Sequence, residues 1–265
     1  MNKELIRKRF HKASKTYSSE AIIQNKIAKK LIEEIIVLGE RNFDSILEIG
    51  CGTGLLSKEI NRSFEFNTLN LNDICQIHLE DKSLSELVNY FEGDAENITL
   101  PNNQDLIISS STLQWFNNLE SFYPKINSLL STNGLFAFSS FSKENFIEIK
   151  TITNQGLDYI SFEENKILLE KNFEILYSYQ DIIKLYFSTP KEILVHLRNT
   201  GVNAINSPNW TKGKLIQFIE GYEKFYIKDK GYCLTYNPYY FICKKKSLIT
   251  WEVSGLKLTN YKPKL

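Results

Sequence analysis

The chain has 265 residues, of which 42% are apolar and 24% charged, so it is long and apolar enough to bury a sizeable core. Its formal net charge of +1 excludes a strong overall field that would attract nucleic acid. No apolar run reaches the length of a membrane span, no secretory signal is expected at the N-terminus, and the four cysteines lack CxxC spacing, which together predict a cytoplasmic protein without structural zinc or a disulfide framework.

Apolar residues recur at helical spacing over residues 3–38, and a polar break at 14–20 divides this stretch into two predicted helices. Further along, short apolar strands alternate with helical segments. Strands are predicted near 45–49, 66–72, 90–92, 106–108 and 134–138, and helices near 55–62, 75–88 and 119–131. Because strands that alternate with helices form parallel sheets with right-handed crossovers, this order predicts an α/β fold.

The second half of the chain keeps the same composition, but the alternation becomes weaker. Helices are predicted near 144–150, 163–170, 190–200 and 211–228, with one strand near 174–186 and a last strand over Tyr232–Lys244. The pattern of Ser247–Leu265 fits either an added strand or a tail, and the sequence leaves both open.

A glycine-rich segment follows the first predicted strand and reads Glu48-Ile49-Gly50-Cys51-Gly52-Thr53-Gly54. Glycine at a strand-to-helix junction allows a tight turn and close approach of the backbone to a ligand. The dinucleotide pattern would need glycine where this chain has Leu55, and a Walker loop would need Gly-Lys-Ser/Thr. The acidic Glu48 favours a ligand with a positive group over a pyrophosphate. The alternative is a turn that needs glycine for its geometry alone.

Two further acidic positions follow this segment. A carboxylate at the end of the second strand, about 20 residues on, is typical of ribose binding. Asp73 is the preferred residue and a helix cap is its alternative role, while Asn70 lies nearer the usual register. After the third strand, Asp94 is placed to accept a hydrogen bond from an adenine amino group, and its alternative is an ordinary turn aspartate.

With these residues, segment 44–141 resembles class I S-adenosylmethionine-dependent methyltransferases. The resemblance implies a Rossmann-like, mostly parallel seven-stranded sheet with helices on both faces. It also implies S-adenosyl-L-methionine as the cofactor and S-adenosyl-L-homocysteine as its product. The implied cofactor-binding residues are Glu48, Gly50, Cys51, Gly52, Gly54, Asp73, Ile74, Asp94, Ala95 and Ser110.

A narrower resemblance begins at Leu113-Gln114-Trp115, which Leu119 follows at a short interval. Together with the opening Phe10–Tyr17 stretch, the segment Leu194–Ala204 and the closing Leu234-Thr235-Tyr236, this order is similar to the malonyl-[acyl-carrier-protein] O-methyltransferases of biotin synthesis. The Leu-Gln-Trp run also occurs in trans-aconitate-type carboxyl methyltransferases. The resemblance implies one domain over 1–246, with a helical lid (1–40), a cofactor core (44–141), a substrate-covering helical insertion after strand five (142–231) and a closing strand (232–246). The role of 247–265 is left open.

The narrower resemblance implies methyl transfer to the free carboxylate of a malonyl thioester on acyl carrier protein or coenzyme A, giving the methyl ester that primes pimeloyl and biotin synthesis. Such a carboxylate is ionised at pH 7 and needs no general base. This agrees with the lack of a catalytic context around His11, His78 and His196.

Four residues are predicted to contact the substrate: Tyr17, Gln114, Trp115 and Arg198. Arg198 offers a planar fork for a carboxylate, and Tyr17 would close the pocket from the lid. The alternatives are a surface arginine for Arg198 and packing aromatic residues for Tyr17 and Trp115.

An acyl carrier protein is acidic, so a basic surface is expected to receive it. Candidate lysines are Lys212, Lys214, Lys224, Lys228, Lys230 and Lys244–Lys246, although such groups are as typical of solvated faces. The chain is expected to act as a monomer, without nucleic acid or membrane. The alternatives are a methyltransferase for another small acid, quinone or phenol, and a non-catalytic protein on the same scaffold.

Overall fold

A computed structural model describes residues 2–76, 88–201 and 211–246, with the backbone of 252–253 and 256–257; side chains within 13–19 and 227–228 are not described. The helices of this part are α1 (Lys3–Glu20), α2 (Ile22–Val37), α3 (Leu55–Ser63), α4 (Leu119–Leu129), α5 (Ile147–Thr153), α6 (Phe162–Glu170), α7 (Pro190–Asn199) and α8 (Lys212–Phe225). The strands are β1 (Asn42–Ile49), β2 (Glu65–Asp73), β3 (Val88–Glu92), β4 (Gln104–Ser110), β5 (Leu130–Phe141), β6 (Phe173–Gln180), β7 (Ile183–Phe187), β8 (Ile227–Lys228), β9 (Gly231–Tyr236), β10 (Pro238–Lys245), β11 (Glu252–Val253) and β12 (Leu256–Lys257).

The core of the protein is a seven-stranded sheet with the order β3-β2-β1-β4-β5-β10-β6. The first five strands in this order run parallel, and β10 runs antiparallel to both β5 and β6. The predicted mostly parallel seven-stranded α/β sheet is therefore confirmed. The chain order reverses direction between β1 and β4, and the carboxyl ends of these two strands open on one edge, where α/β folds bind ligands.

Alternate residues of the central strands enter two different apolar clusters. Ile46 of β1 and Ile108 of β4 belong to the cluster that includes residues of α2 and α3. Leu47 and Ile107, their neighbours in the chain, belong to the cluster that includes residues of α4 and α6. Successive side chains of a strand point to opposite faces, so a strand that is apolar at every position must be covered on both sides. This explains why the sequence shows short continuous apolar runs.

The two N-terminal helices divide at a different point from the predicted one. The polar segment 14–20 was predicted to be a break, but α1 continues through it to Glu20, and α2 starts directly after Ala21. α2 is well anchored, because one side of it, including Ile27, Leu31 and Ile35, is fully buried. Serine and threonine cap helices in many sequences, but they also occur inside them, so a polar run of this kind does not by itself end a helix.

Two predictions for the second half were wrong. The single strand over 174–186 is two strands, β6 and β7, and the closing strand over 232–246 is β9 and β10. β7, β9 and β8 form a separate three-stranded antiparallel sheet, which the sequence pattern did not indicate. The chain passes from the seven-stranded sheet to the three-stranded sheet at Asp181, between β6 and β7, and returns at Asn237, between β9 and β10. The Asn237 side chain donates to the Asp181 carbonyl at 2.7 Å.

Two predictions fall largely outside the described residues. Most of the helix predicted at 75–88 lies there, as does most of the stretch beyond Lys246. Within the described ranges, no helix combines the length and apolar character needed to cross a membrane.

Candidate active site

A cavity of about 370 Å³ lies where β1, β2 and β4 end, within the size range of roughly 300–1,000 Å³ typical of small-molecule sites. Its walls come from the glycine segment, the end of β2, the turn after β3 and the turn after β4. α1 and α2 contribute Ile6, Phe10, His11, Gln24 and Ala28. The sheet edge expected to hold the cofactor is therefore enclosed by the N-terminal helices.

The glycine segment is a turn in which all three glycines have positive φ angles, +75° at Gly50, +55° at Gly52 and +85° at Gly54. The backbone N–H groups of Gly50 and Cys51 both donate to the Asn72 carbonyl, at 2.8 and 3.0 Å. A Cβ atom at Gly50 would lie 2.3 Å from the Thr112 side chain, whereas one at Gly52 would meet no atom within 4 Å. Position 50 therefore requires glycine, because a side chain there would overlap Thr112, whereas a side chain at position 52 would extend into open space.

Glu48 lies at the end of β1, and its side chain is buried at 1% exposure. One carboxylate oxygen, Oε2, accepts a hydrogen bond from the Ser57 hydroxyl of α3 at 2.6 Å. Burial, assisted by the charge of Asp73, raises the pKa of Glu48 to about 8. A cation placed beside this carboxyl would restore its ionised form, which is the chemistry predicted for this position.

The structure shows which polar residue of β2, Asn70 or Asp73, faces the cavity. Asp73 lies at the end of the strand and lines the cavity; its Oδ2 accepts from the Gly52 N–H and its Oδ1 from the Cys75 N–H, both at 2.8 Å. Burial raises the pKa of Asp73, partly offset by these backbone N–H donors. Asn70 is buried inside the strand, where its amide donates to Gln104 Oε1 and to the Ser45 hydroxyl. Asp73 is therefore the residue that faces the cavity.

Asp94 and Ala95 line the far end of the cavity, next to the N-terminus of α1. The Lys3 ammonium lies 3.3 Å from Asp94 Oδ1, 2.7 Å from Glu96 Oε2 and 4.6 Å from the centre of the Phe116 ring. Burial alone would raise the pKa of Glu96, but the hydrogen bonds from Lys3 and from backbone N–H groups lower it overall. Lys3 thereby joins α1 to this end of the cavity.

The turn after β4 forms another wall of the cavity. Trp115 is mostly buried and lines the cavity, whereas Gln114 does not; the Gln114 side chain donates to the Ser111 carbonyl at 2.5 Å and accepts from Ser140 at 3.2 Å. Ser110 lines the cavity and shares a hydrogen bond with Ser139 at 3.0 Å. Within the Leu-Gln-Trp run, Trp115 therefore lines the cavity, and Gln114 stabilises the turn through its hydrogen bonds.

Some buried oxygen atoms around this cavity have no hydrogen-bond partner among the described residues. They are Gln24 Oε1, Glu48 Oε1, Thr53 Oγ1 and Ser111 Oγ. A buried polar atom without a partner is unfavourable by about 1–3 kcal/mol, so such a group indicates a missing ligand or water. S-adenosylmethionine brings N–H and O–H donors that acceptors of this kind require, and the lining of the cavity therefore fits this cofactor.

Two cysteines, Cys51 and Cys75, and one histidine, His11, also line the cavity. Burial raises the pKa of the Cys51 thiol well above its ordinary value and that of Cys75 to about 11, so neither is a thiolate nucleophile at neutral pH. His11 lines the cavity, although it was not among the predicted site residues. His196 is buried outside the cavity lining, with its Nε2 2.7 Å from the Tyr236 hydroxyl.

Of the four predicted substrate residues, Trp115 alone belongs to the described cavity lining, and Gln114 lies beside it in the turn after β4. Arg198 lies exposed on α7 and is absent from the cavity lining. Tyr17 belongs to α1, but its side chain is outside the described part of the structure. By contrast, sequence reasoning did not single out Lys3 and Gln24, which no motif marks, nor Thr53 and Ser111, which lie within or beside segments that it had assigned to the cofactor.

Comparison with known proteins agrees with this geometry. The methyltransferase domain family matches residues 47–138. Among solved structures, the methyltransferase in a Haloferax volcanii complex with the Trm112 methyltransferase activator aligns over 92% of this chain and 98% of its own, with a TM-score of 0.59 and 12% identity. At that identity the likeness concerns the fold alone.

Curated relatives extend the match to nearly the whole chain. A Bacteroides thetaiotaomicron protein named malonyl-[acyl-carrier protein] O-methyltransferase is 39% identical over 94% of this chain and 100% of its own. A protein of the same name from Calditerrivibrio nitroreducens is 38% identical over 92% of this chain and 97% of its own. The chain belongs to the malonyl-[acyl-carrier protein] O-methyltransferase family.

Proposed function

We propose that this protein transfers a methyl group from S-adenosyl-L-methionine to the free carboxylate of a malonyl thioester on acyl carrier protein. The observation that carries this proposal is the match with relatives of that name over nearly the full length of both chains. The cavity supports the methyl donor, because an acid-lined turn suits a sulfonium cofactor. The product, a malonyl methyl ester, would prime pimeloyl and biotin synthesis.

The cofactor is proposed to lie along the sheet edge with its ends held by acidic groups. Glu48 faces the positive methionine end, Asp73 the ribose hydroxyls and Asp94 the adenine amino group. Both the depth of Glu48 and the position of Asp73 at the end of β2 support this order. The remaining proposed contacts are Gly50, Cys51, Gly52, Gly54, Ile74, Ala95 and Ser110, all but Gly54 found in the cavity lining.

When bound, the cofactor supplies a methyl group that its sulfonium charge has already activated. The chain's own residues then have to orient the acceptor and exclude water. An acceptor carboxylate is ionised at neutral pH, so no side chain has to remove a proton. The protonated thiols of Cys51 and Cys75 offer no thiolate, and His196 is buried outside the cavity lining; His11 lines the cavity but is assigned no proton transfer in the proposed reaction.

The acceptor is proposed to approach from the side of α1 and the turn after β4. Trp115 and Phe10 form an apolar wall there, which favours a dry transfer. Gln114 supports this wall through its bonds to the turn, and Tyr17 is proposed to close the site from α1. Arg198 is proposed to orient the malonyl carboxylate, because a guanidinium group binds a carboxylate through two parallel hydrogen bonds.

The finer features of the partner are also part of the proposal. The thioester is carried by acyl carrier protein, with malonyl-coenzyme A as a smaller alternative, and the enzyme acts as a monomer in the cytoplasm without nucleic acid. The four free cysteines suit a reducing compartment.

A direct assay tests the acceptor. The protein is incubated with methyl-labelled S-adenosylmethionine and, in separate reactions, malonyl-carrier protein, malonyl-coenzyme A, free malonate and a phenol. We expect the malonyl thioesters to be methylated, with the carrier-bound form preferred, and base-labile methyl ester as the product. Label transfer only to free acids or to the phenol would reject the acceptor while retaining the methyl donor. Lack of turnover with any acceptor, despite tight binding of S-adenosylhomocysteine, would instead favour a non-catalytic protein.

Complementation gives an independent test. A biotin-requiring strain that lacks its own malonyl-carrier-protein methyltransferase should grow without biotin when it expresses this chain. Failure to grow, with the protein folded and active on the malonyl thioester in vitro, would contradict the proposed role in biotin synthesis.

A further inference from the structure

Gln24 is a buried polar residue that the predicted cofactor site does not include. It lies on α2 and is only 4% exposed, and its Oε1 has no hydrogen-bond partner among the described residues. Ala28, one helical turn later, lines the same cavity, so this face of α2 is directed to the site. A carbonyl oxygen held in this way requires a donor that the described protein does not provide.

The position of α2 indicates which end of the cavity must supply the hydrogen-bond donor for Gln24 Oε1. α2 packs against α3, the helix that begins directly after the glycine turn. The Ser57 hydroxyl of α3 binds only Oε2 of Glu48, and Glu48 Oε1 remains without a partner. Lys3, Phe116 and Asp94 cluster at the other end of the cavity. Gln24 thus belongs with the Glu48 end of the cavity, away from the end assigned to adenine.

We infer that Gln24 Oε1 accepts a hydrogen bond from the amino group of the cofactor's methionine part, which it binds together with Glu48 Oε1. This inference rests on the orientation of the cofactor given under the proposed function. An ammonium group has three N–H donors and can serve both oxygens at once. The acceptor carboxylate is excluded as the partner of Oε1, because it offers only further acceptor oxygens.

The test compares two ligands that differ by one group. S-adenosylhomocysteine and its analogue without the amino group are titrated into wild-type protein and into Gln24→Leu by calorimetry. The variant should bind S-adenosylhomocysteine about tenfold more weakly or worse, since hydrogen bonds to charged groups are worth more than neutral ones. Its affinity for the analogue should remain within about twofold of wild type, because the lost bond is absent there as well.

Stability of the ligand-free protein adds a second readout. Leucine removes an oxygen that lacks a partner, so Gln24→Leu should melt at the same temperature as wild type or higher. Gln24→Glu keeps an acceptor oxygen and should retain the preference for the amino-bearing ligand. A matched control is Gln104→Leu, because Gln104 is equally buried, has its side-chain atoms hydrogen-bonded and lies outside the cavity. It should melt at a lower temperature without a change in ligand preference.

Equal losses of affinity for both ligands in Gln24→Leu, or no loss for either, would overturn the inference. Loss of preference for the amino group in Gln24→Glu would overturn it too, and this variant decides the question if Gln24→Leu does not fold. The measurement involves no methyl acceptor. Failure of the wild-type protein to bind S-adenosylhomocysteine would therefore reject the proposed function, whereas binding without discrimination would reject only the role of Gln24.

Discussion

Phe10 and Trp115 meet edge to face across the cavity wall, with their ring centroids 5.4 Å apart. Phe10 belongs to α1, near the start of the chain, and Trp115 to the turn after β4. Their contact joins the N-terminal helix to the sheet edge, and the ion pairs of Lys3 with Asp94 and Glu96 provide a second connection. α1 is therefore held over the proposed cofactor site by two separate contacts.

Removal of the Phe10 ring should speed the release of the cofactor product. An aromatic pair contributes about 0.5–1.5 kcal/mol beyond its buried area, so Phe10→Ala should raise the dissociation rate of S-adenosylhomocysteine by roughly twofold to tenfold. Stopped-flow displacement of labelled ligand measures this rate. Leu5→Ala is the control, because Leu5 lies on the same helix at 41% exposure and is absent from the cavity lining. Equal rates in both variants would show that the ring contact does not hold α1 closed.

Substitution of Gly52 should abolish cofactor binding while the protein stays folded. A valine at this position meets no protein atom within 4 Å at its Cβ, so its side chain extends into the cavity. The positive φ adds a local strain of about 1–2 kcal/mol. Binding of S-adenosylhomocysteine by calorimetry and the unfolding temperature check the two parts of this expectation.

Gly39 offers a control for the strain. It also has a positive φ, +91°, and no atom within 4 Å of an added Cβ, but it lies outside the cavity. Gly39→Val should lose stability and keep the affinity for S-adenosylhomocysteine. Normal affinity in Gly52→Val would reject the assignment of the glycine turn to the cofactor.

The ionisation of Glu48 should make the ligand-free protein less stable as the pH rises. Its pKa in the folded state is about 8, above the ordinary 4.5, so the folded state holds its proton more tightly than the unfolded chain. Between these two pH values the unfolding free energy therefore falls with increasing pH. Glu48→Gln removes this contribution, and its melting temperature should fall less between pH 5 and pH 8. A residual slope is expected in the variant, because the pKa of Asp73 is also raised.

An exposed carboxyl provides the comparison for this measurement. Glu33→Gln, on the outer side of α2, should reproduce the wild-type pH dependence of the melting temperature. Identical curves for wild type and Glu48→Gln would mean that the buried carboxyl does not hold its proton. Addition of S-adenosylhomocysteine at pH 7 should release a proton from wild type and less from Glu48→Gln, which calorimetry in two buffers detects.

Arg198 is the predicted cation for the acceptor, and kinetics can test it separately from the cofactor. Arg198→Ala should raise KM for the malonyl thioester or lower kcat, while the affinity for S-adenosylhomocysteine stays at the wild-type value. Lys191→Ala, an exposed cation on the same helix, should have wild-type kinetics. Unchanged kinetics in Arg198→Ala would remove this residue from the site, in keeping with its exposed position outside the described cavity lining.

The parallel half of the sheet could be predicted from sequence because β1 and β4 are short apolar runs, β2 alternates apolar and polar residues, and helical patterns follow β1 and β4. The antiparallel part could not be predicted, because the chain can pass from one sheet to another without any change in its apolar pattern. β9 and β10 are separated only by Asn237, and tertiary hydrogen bonds of its side chain with Asp181 and Gln180 hold the bend. Such bonds join residues far apart in the chain and leave no local pattern.

The residues of the candidate site likewise divide into those that a local sequence motif predicts and those that only the tertiary structure reveals. Glu48 and the glycines are adjacent in sequence, so their motif could be found directly. The choice between Asn70 and Asp73 needed the register of β2, which places Asn70 against Gln104 in the interior. Gln24 lies on a helix whose apolar spacing predicts only packing, and it became visible as a site residue through its unpartnered oxygen.

The glycine turn also determines which ligands the site does not bind. Its N–H groups at Gly50, Cys51, Gly52 and Gly54 donate to the Asn72 carbonyl, the Asp73 carboxylate and the Cys51 carbonyl. Loops that hold a pyrophosphate leave such N–H groups free to surround the anion. Here those donors are already satisfied within the protein, and the nearest side chains are carboxyl groups. A pyrophosphate would thus find none of these four N–H groups free and would lie beside Glu48 and Asp73, so the turn disfavours phosphate-rich cofactors.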